Sequence, residues 1–261
     1  MGEWVGDERF CIWTSVGLPI GTILAEQYGF RAPFLLFALV ALVSFFLVLS
    51  VLPQPPIKRS SERLSIRAAV KGYRELLRNR AVVSAGFAYA TMLFAVSTFV
   101  VFFPTWLEKE IGVSPTATAL LFMVGGLANL LFGPQAGSLS DRIGRKPVIV
   151  GSCLVSAVLF AVTPFVVFDV FSAYVVFFFT MMLLALRLSP LQALLTTLVP
   201  DARRGSLMSL VVAIGQIGGG LGGAIAGVVY SQVGYFGNAI LSALAITATG
   251  VVILSNLSEP A

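Results

Sequence analysis

Repeated apolar runs of about 20 residues, separated by short polar or basic turns, constrain this chain more than any other feature. A helix of about 20 residues rises about 30 Å, the thickness of a bilayer's hydrocarbon core. In that medium only a helix or a closed barrel pairs every backbone N–H and C=O. Hydrophobic residues make up 57% of the 261 residues and charged ones 11%, and the mean hydropathy is +0.95. These values exclude an ordinary soluble domain, and the chain reads as an all-α, polytopic helical membrane protein with about eight transmembrane helices.

The runs fall in an uneven order. The first spans about Phe10 to Gln27, and the second about Pro33 to Leu52, where Pro53, Pro55 and Pro56 stop it. From Ile57 to Arg80 the character changes. Ile66, Ala69, Val70, Tyr73, Leu76 and Leu77 recur at helical spacing on one face, with Arg63, Arg67, Lys71, Arg74 and Arg78 mostly on the other and Ser61 as N-cap. A basic amphipathic helix of this kind is expected to lie in the membrane interface, drawn to anionic lipid. Six further spans follow, at about Val82–Phe103, Thr116–Ala136, Val148–Phe168, Phe171–Thr197, Ser206–Tyr230 and Phe236–Leu254. The expected division is residues 1–53 as two helices, 54–81 as a basic connection, and 82–261 as a six-helix unit.

Lysine and arginine decide the expected orientation. Fourteen of the seventeen fall in the N-terminal tail, the basic connection, the stretch Arg142–Lys146 and the pair Arg203–Arg204. Arg31 and Lys109 fall on the other side, and Arg187 lies within a span. The positive-inside rule then places both termini in the cytoplasm of a multi-pass protein of the cell membrane. The net charge of +5 is explained by those loops, so nucleic acid is not an expected partner.

Gly17, Ile20, Gln27 and Gly29 recur as Gly222, Ile225, Gln232 and Gly234, each 205 positions later. The first two helices therefore look like a second copy of the last two. Cys11 and Cys153 sit in apolar runs, as small core residues rather than a disulfide. Without a histidine or a cysteine cluster, no metal or cofactor is expected and no nucleophile–base pair can be drawn, so an enzyme is not expected. The start, with Glu3, Asp7 and Glu8, lacks the basic region of a cleaved signal peptide.

The stretch Gly137-Ser-Leu-Ser-Asp141-Arg142-Ile-Gly144-Arg145-Lys146-Pro147 resembles the G-x-L-x-D-R-x-G-R-K signature loop of the major facilitator superfamily of secondary transporters. In that family the loop joins the second and third helices of each six-helix half. The resemblance implies that residues 82–261 are similar to the second half and the first two spans to the fifth and sixth helices. It also implies that counterparts of the first four helices are missing, so the chain is expected to be truncated. Gly218-Gly219-Gly220-Leu221-Gly222-Gly223 is similar to the G-P-x-x-G-G motif of drug:proton antiporters, with Gly219 in the proline position. Pro200-Asp-Ala-Arg203-Arg204-Gly205 resembles the turn that leads into the eleventh helix.

Physically, Gly218, Gly222 and Gly223 let two helix backbones approach closely. Asp141 is expected to pair with Arg203 or Arg204 in a clasp at the cytoplasmic surface. Arg187, Gln216, Asn129, Tyr89 and Thr91 are the candidates for a substrate path. Ser84, Thr91 and Thr98 form a small polar stripe, for which back-bonding to the helix is the plainer reading. For Asn129 and Gln216 the plainer reading is an interhelical hydrogen bond. Arg187 lies close to mid-membrane and is expected to face the bundle interior, with carbonyls, Gln192, Gln216, water or an anionic group as partners. The alternative is that it snorkels to the headgroups. The function expected is secondary transport of a small solute, efflux of a drug or metabolite included. The alternative is a non-transporting membrane fragment or scaffold that needs a partner supplying the missing helices.

Overall fold

The structure, a computed structural model, describes residues 21, 24–25, 27–51, 66–200 and 203–257. The first apolar segment and the connection before Ile66, Ser61 included, lie almost wholly outside the described residues. Eight helices are seen: α1 (Ala32–Val51), α2 (Ile66–Arg78), α3 (Arg80–Val100), α4 (Pro115–Ile143), α5 (Arg145–Val166), α6 (Val170–Thr196), α7 (Arg204–Val233) and α8 (Tyr235–Asn256). No strand occurs among the described residues. All but α2 are long and apolar enough to cross a membrane, which makes seven described spans.

The helix ends are set by local chemistry. Asn79 accepts the Ala81 amide to start α3, and Ser114 accepts the Ala117 amide ahead of Pro115 at the start of α4. Asp169 opens α6 with a capping box, its carboxylate taking the amide of Ser172 while the Ser172 hydroxyl accepts the Asp169 amide. These Ser172 hydrogen bonds hold the Asp169 carboxyl below its ordinary range. Beyond Val100, α3 continues through the turn Phe103–Trp106 and a wider π turn, Leu107–Ile111, to Gly112 at φ +77°.

Helices α3 to α8 run alternately up and down. Their most extensive contacts join α3 with α7 and α4 with α6, followed by α3 with α8, α5 with α8, and α5 with α6. Exchanging α3 with α6, α4 with α7 and α5 with α8 leaves this network unchanged. Because each triplet has an odd number of helices joined by short turns, the two triplets run in opposite senses, the inverted repeat of many transporters.

The 205-residue repeat is visible in the backbone too. Gly29 donates to Ala25 O and Gly234 to Tyr230 O, at 3.1 and 3.0 Å. The two glycines have φ of +82° and +77°, the left-handed region that glycine adopts without a Cβ penalty. Each then accepts the amide three residues on, from Ala32 and Gly237.

Two ends of the bundle differ in chemistry. The end carrying Gly112 and Tyr235 holds an aromatic core of Phe99, Phe103, Trp106, Phe160, Phe177 and Tyr235. In it Trp106 stacks on Tyr235 with centroids 4.6 Å apart, and the buried Tyr235 hydroxyl donates to Phe99 O at 3.0 Å. The other end carries the basic residues. There α2 rests on the bundle through buried Leu76, an ion pair of Glu75 with Arg203 at 2.9 Å, and the Tyr73 hydroxyl 3.5 Å from Ser209 Oγ. Helix α1, the most apolar of the spans at a mean hydropathy of 2.8, has no buried side chain along Ala32–Ser50.

Candidate functional site

Helices α3 and α7 bring their backbones close together at the glycines of α7. A Cβ on Gly218 would sit 2.3 Å from Ala90 O, and one on Gly222 would sit 2.5 Å from Phe94 O. Gly215 seats the ring of Tyr89, whose Cδ1 would lie 2.3 Å from an added Cβ. Thr98 ties the same interface, donating to Phe94 O at 2.8 Å or to Gly222 O at 3.2 Å. Of the three glycines read from sequence, Gly223 stands apart, with only Val101 Cγ2 at 3.9 Å. Gly215 was missed. Its signal was the spacing 215, 218, 222, which places the three glycines on one helix face.

The polar candidates do not converge on one point. Tyr89 is buried on α7. Thr91 back-bonds to Phe87 O and Ala88 O and meets Thr249 Oγ1 of α8 at 2.9 Å. Arg187 is wholly buried and donates from Nη1 to Ser156 Oγ of α5 at 2.6 Å. It therefore makes its hydrogen bond neither to Gln192 nor to Gln216, and it does not reach the headgroup level. Ser156 was not singled out, because a serine in an apolar run carries no sign of which helix will face it. Gln216, at mid-α7, is exposed on the side turned away from α3, and Asn129 is half-buried at the middle of α4.

The signature stretch folds more tightly than its sequence suggests. Helix α4 runs on to Ile143, so Gly137 lies inside a helix and only Gly144 makes the turn, at φ +102° and ψ 144°. The next residue, Arg145, begins α5. Asp141 pairs with Arg145 at 4.0 Å, with 69% of its side chain exposed, and Arg145 Nη1 donates to Ala193 O of α6 at 3.2 Å. Arg142 is exposed and Lys146 half-buried. The expected clasp of Asp141 with Arg203 or Arg204 is corrected here. Arg203 turns to Glu75, and Arg204 Nε donates to Thr196 O at 3.1 Å. The cause is packing: α4 lies on α6, while α7 lies on α3 and α2. No group of three or more His, Cys, Asp or Glu side chains gathers among the described residues.

The bundle thus combines a glycine-packed helix pair, an inverted triplet repeat and a one-residue glycine turn flanked by basic residues. The family model of the Major Facilitator Superfamily matches residues 10–108 and 85–260. The chain belongs to that superfamily. It is 26% identical to a citrate-proton symporter of Salmonella typhi over 149 residues, 55% of this chain and 33% of the symporter. It is 29% identical to the multidrug resistance protein MdtG of Citrobacter koseri over 153 residues, 56% of this chain and 36% of that protein. These matches span about a third of each relative's length.

Among solved structures, the superfamily fold is shared with a bacterial homologue of the iron transporter ferroportin in an inward-facing state. That match has a TM-score of 0.64 and 19% identity, covering 98% of this chain and 62% of the other. A bacterial homologue of the human lysosomal transporter Spinster matches with a TM-score of 0.50 and 17% identity, covering 92% and 63%. Both likenesses concern the fold.

Proposed function

We propose that this facilitator-superfamily chain carries out secondary transport of a small solute, along the side of the bundle that bears Gln216. The supporting observation is the position of that amide. Gln216 lies within about 4 Å of the middle of a 30-residue span, is exposed, and makes no hydrogen bond to the described residues. Burying an unpaired amide in hydrocarbon costs several kcal/mol, so this side is better placed against a wet path or a polar protein surface than against lipid. Asn129, half-buried and likewise without a hydrogen-bonded partner, holds the matching mid-span position on α4, the pseudo-symmetric mate of α7. The basic end faces the cytoplasm in this reading. The six-helix unit from residue 82 forms one wall of the path. The relatives' names suggest two solute classes to try, an organic anion such as citrate and the substrates of a drug exporter.

The test is flux in liposomes containing this chain, with citrate and a cationic dye as probes. Transport that falls about tenfold in Gln216→Leu, with the melting temperature unchanged, supports the reading. Flux unaffected by Gln216→Leu and Asn129→Leu would overturn the path.

A second reading is favoured by α1, whose exposed apolar surface contacts little of the bundle, and by the one-third span of the relatives. In it the chain transports only beside a partner that supplies four further helices. Flux that is absent alone and restored by co-reconstitution with such a polypeptide would decide for it.

A further inference from the structure

Helix α2 is neither a span nor a wall of the proposed path. A single residue, Asn79, joins it to α3, and the Asn79 amide donates to Leu76 O at 3.1 Å. Its buried Leu76 turns to the bundle, Glu75 pairs with Arg203 at 2.9 Å, and the Tyr73 hydroxyl lies 3.5 Å from Ser209 Oγ. Arg203 stands just ahead of α7, and Ser209 is only about 8 Å along that helix from its start. Helix α2 is therefore level with the ends of α3 and α7, where both spans pass from hydrocarbon to headgroups.

The helical register divides α2 into sides. With Leu76 as origin, a turn of about 100° per residue puts Tyr73 and Leu77 at about 60° and about 100°, Arg74 and Arg78 at about 160° and about 200°, and Glu75 at about 260°. Tyr73 and Leu77 are 38% and 47% exposed, and Arg74 and Arg78 are exposed as well. By sequence register Ile66 and Val70 extend the apolar stripe, and Arg67 and Lys71 the basic one. Arg80, exposed at the first position of α3, lies two residues beyond Arg78. Among the described residues this end of the bundle has two carboxylates, and both are taken: Glu75 by Arg203 and Asp141 by Arg145. Arg74, Arg78 and Arg80 make no side-chain hydrogen bond or ion pair among the described residues.

One side of α2 thus rests on the bundle and one meets Arg203, while between them run an exposed apolar stripe and a line of unpaired cations. A helix so divided suits an interface, its apolar stripe against acyl chains and its cations level with phosphates. We infer that the outer face of α2, Arg74 and Arg78 flanked by Arg80, is a docking surface for anionic phospholipid headgroups in the leaflet at the basic end. Charge selects this occupant, because the cations have no carboxylate of their own and an anionic leaflet attracts each of them. Bound lipid in turn seats α2 on α3 and on the first turns of α7. This surface needs no solute path and stands whether or not the chain transports.

The test uses the full chain with Cys11 and Cys153 replaced by Ala and a spin label at Leu77→Cys, in nanodiscs of phosphatidylcholine with increasing phosphatidylglycerol. Collisions with oxygen and with a water-soluble nickel chelate report where the label lies. Phosphatidylglycerol should carry it from a water-accessible to a lipid position, and added salt should oppose the move. The phosphatidylglycerol content at half of the shift should rise about fivefold in Arg74→Gln and about fivefold again when Arg78→Gln is added. Arg74→Lys with Arg78→Lys, which keeps the charge, should retain the parent's midpoint. A label already embedded in phosphatidylcholine alone, a midpoint indifferent to both Gln substitutions, or a Lys pair that behaves like Gln overturns the proposal. An equal shift produced by inorganic phosphate in phosphatidylcholine nanodiscs overturns it too, since the occupant would then be a soluble anion.

Discussion

Arg187 Nη1 lies 2.6 Å from Ser156 Oγ, and among the described residues this is the guanidinium's one hydrogen bond, because Nε and Nη2 meet no acceptor there. Gly250 of α8 brings its backbone against Cys153, one turn before Ser156, so the contact sits where α5, α6 and α8 meet. A buried cation with one neutral partner is poorly compensated. Ser156→Ala should therefore lower stability by about 1–3 kcal/mol. Arg187→Leu, which removes the charge and keeps most of the volume, should be neutral or stabilising. Thermal unfolding in detergent checks both. A clear loss of stability in Arg187→Leu would mean that the charge has a counter-ion in the working assembly.

The glycines of α7 should not be equivalent. Ala at Gly218 or Gly222 puts a methyl into the backbone of α3, and that backbone cannot rotate aside as a side chain can. Each substitution should destabilise the chain by about 1–3 kcal/mol through overpacking. Gly220→Ala meets nothing within 4 Å and gains helix propensity, about 1 kcal/mol in an exposed helix. Melting temperatures ranked Gly220→Ala above the parent and Gly218→Ala below it would bear this out.

The helices were legible because hydrophobic runs of bilayer length leave the backbone no other way to satisfy itself. Their ends were less so. Helix α4 passes seven residues beyond Ala136 through Gly137, Ser138, Ser140 and Asp141, since outside the hydrocarbon a helix needs no apolar side chains to continue. Gly218 and Gly222 could be read from their four-residue spacing. The burial of Arg187 followed from its depth, but its partner did not, because periodicity tells which face of a helix is covered and not by what. The same gap misplaced the clasp: only the tertiary order of helices shows that Arg203 comes to Glu75 and not to Asp141.

The start of α6 should respond to acid in one direction. The amide and hydroxyl of Ser172 favour the ionised Asp169 and depress its folded-state pKa. Its contribution is therefore full above the ordinary carboxylate range and is lost as pH falls through the lowered folded value. Hydrogen exchange at the first turn of α6, taken relative to its intrinsic rate at each pH, should be unchanged from neutral to mildly acidic pH and faster below that. Asp169→Asn should remove the pH dependence while keeping an oxygen that can cap. An acceleration already present near neutrality would contradict this account.

Orientation is the remaining prediction, and it follows from how charge is divided between the two ends. Arg74, Arg78, Arg80, Arg142, Arg145, Lys146, Arg203 and Arg204 belong to one end of the α2–α8 assembly, and Lys109 to the other. Basic residues near an anionic cytoplasmic leaflet are each favoured by about 1 kcal/mol, and their translocation during insertion is disfavoured. Eight against one favours the arrangement with the basic end in the cytoplasm. In a chain with Cys11 and Cys153 replaced, Glu108→Cys, exposed on the π turn, should react with an impermeant thiol reagent added to intact cells. Arg142→Cys, exposed beside Gly144, should react only after the cells are opened. Labelling of Arg142→Cys from outside, with Glu108→Cys protected, would invert the chain in the membrane.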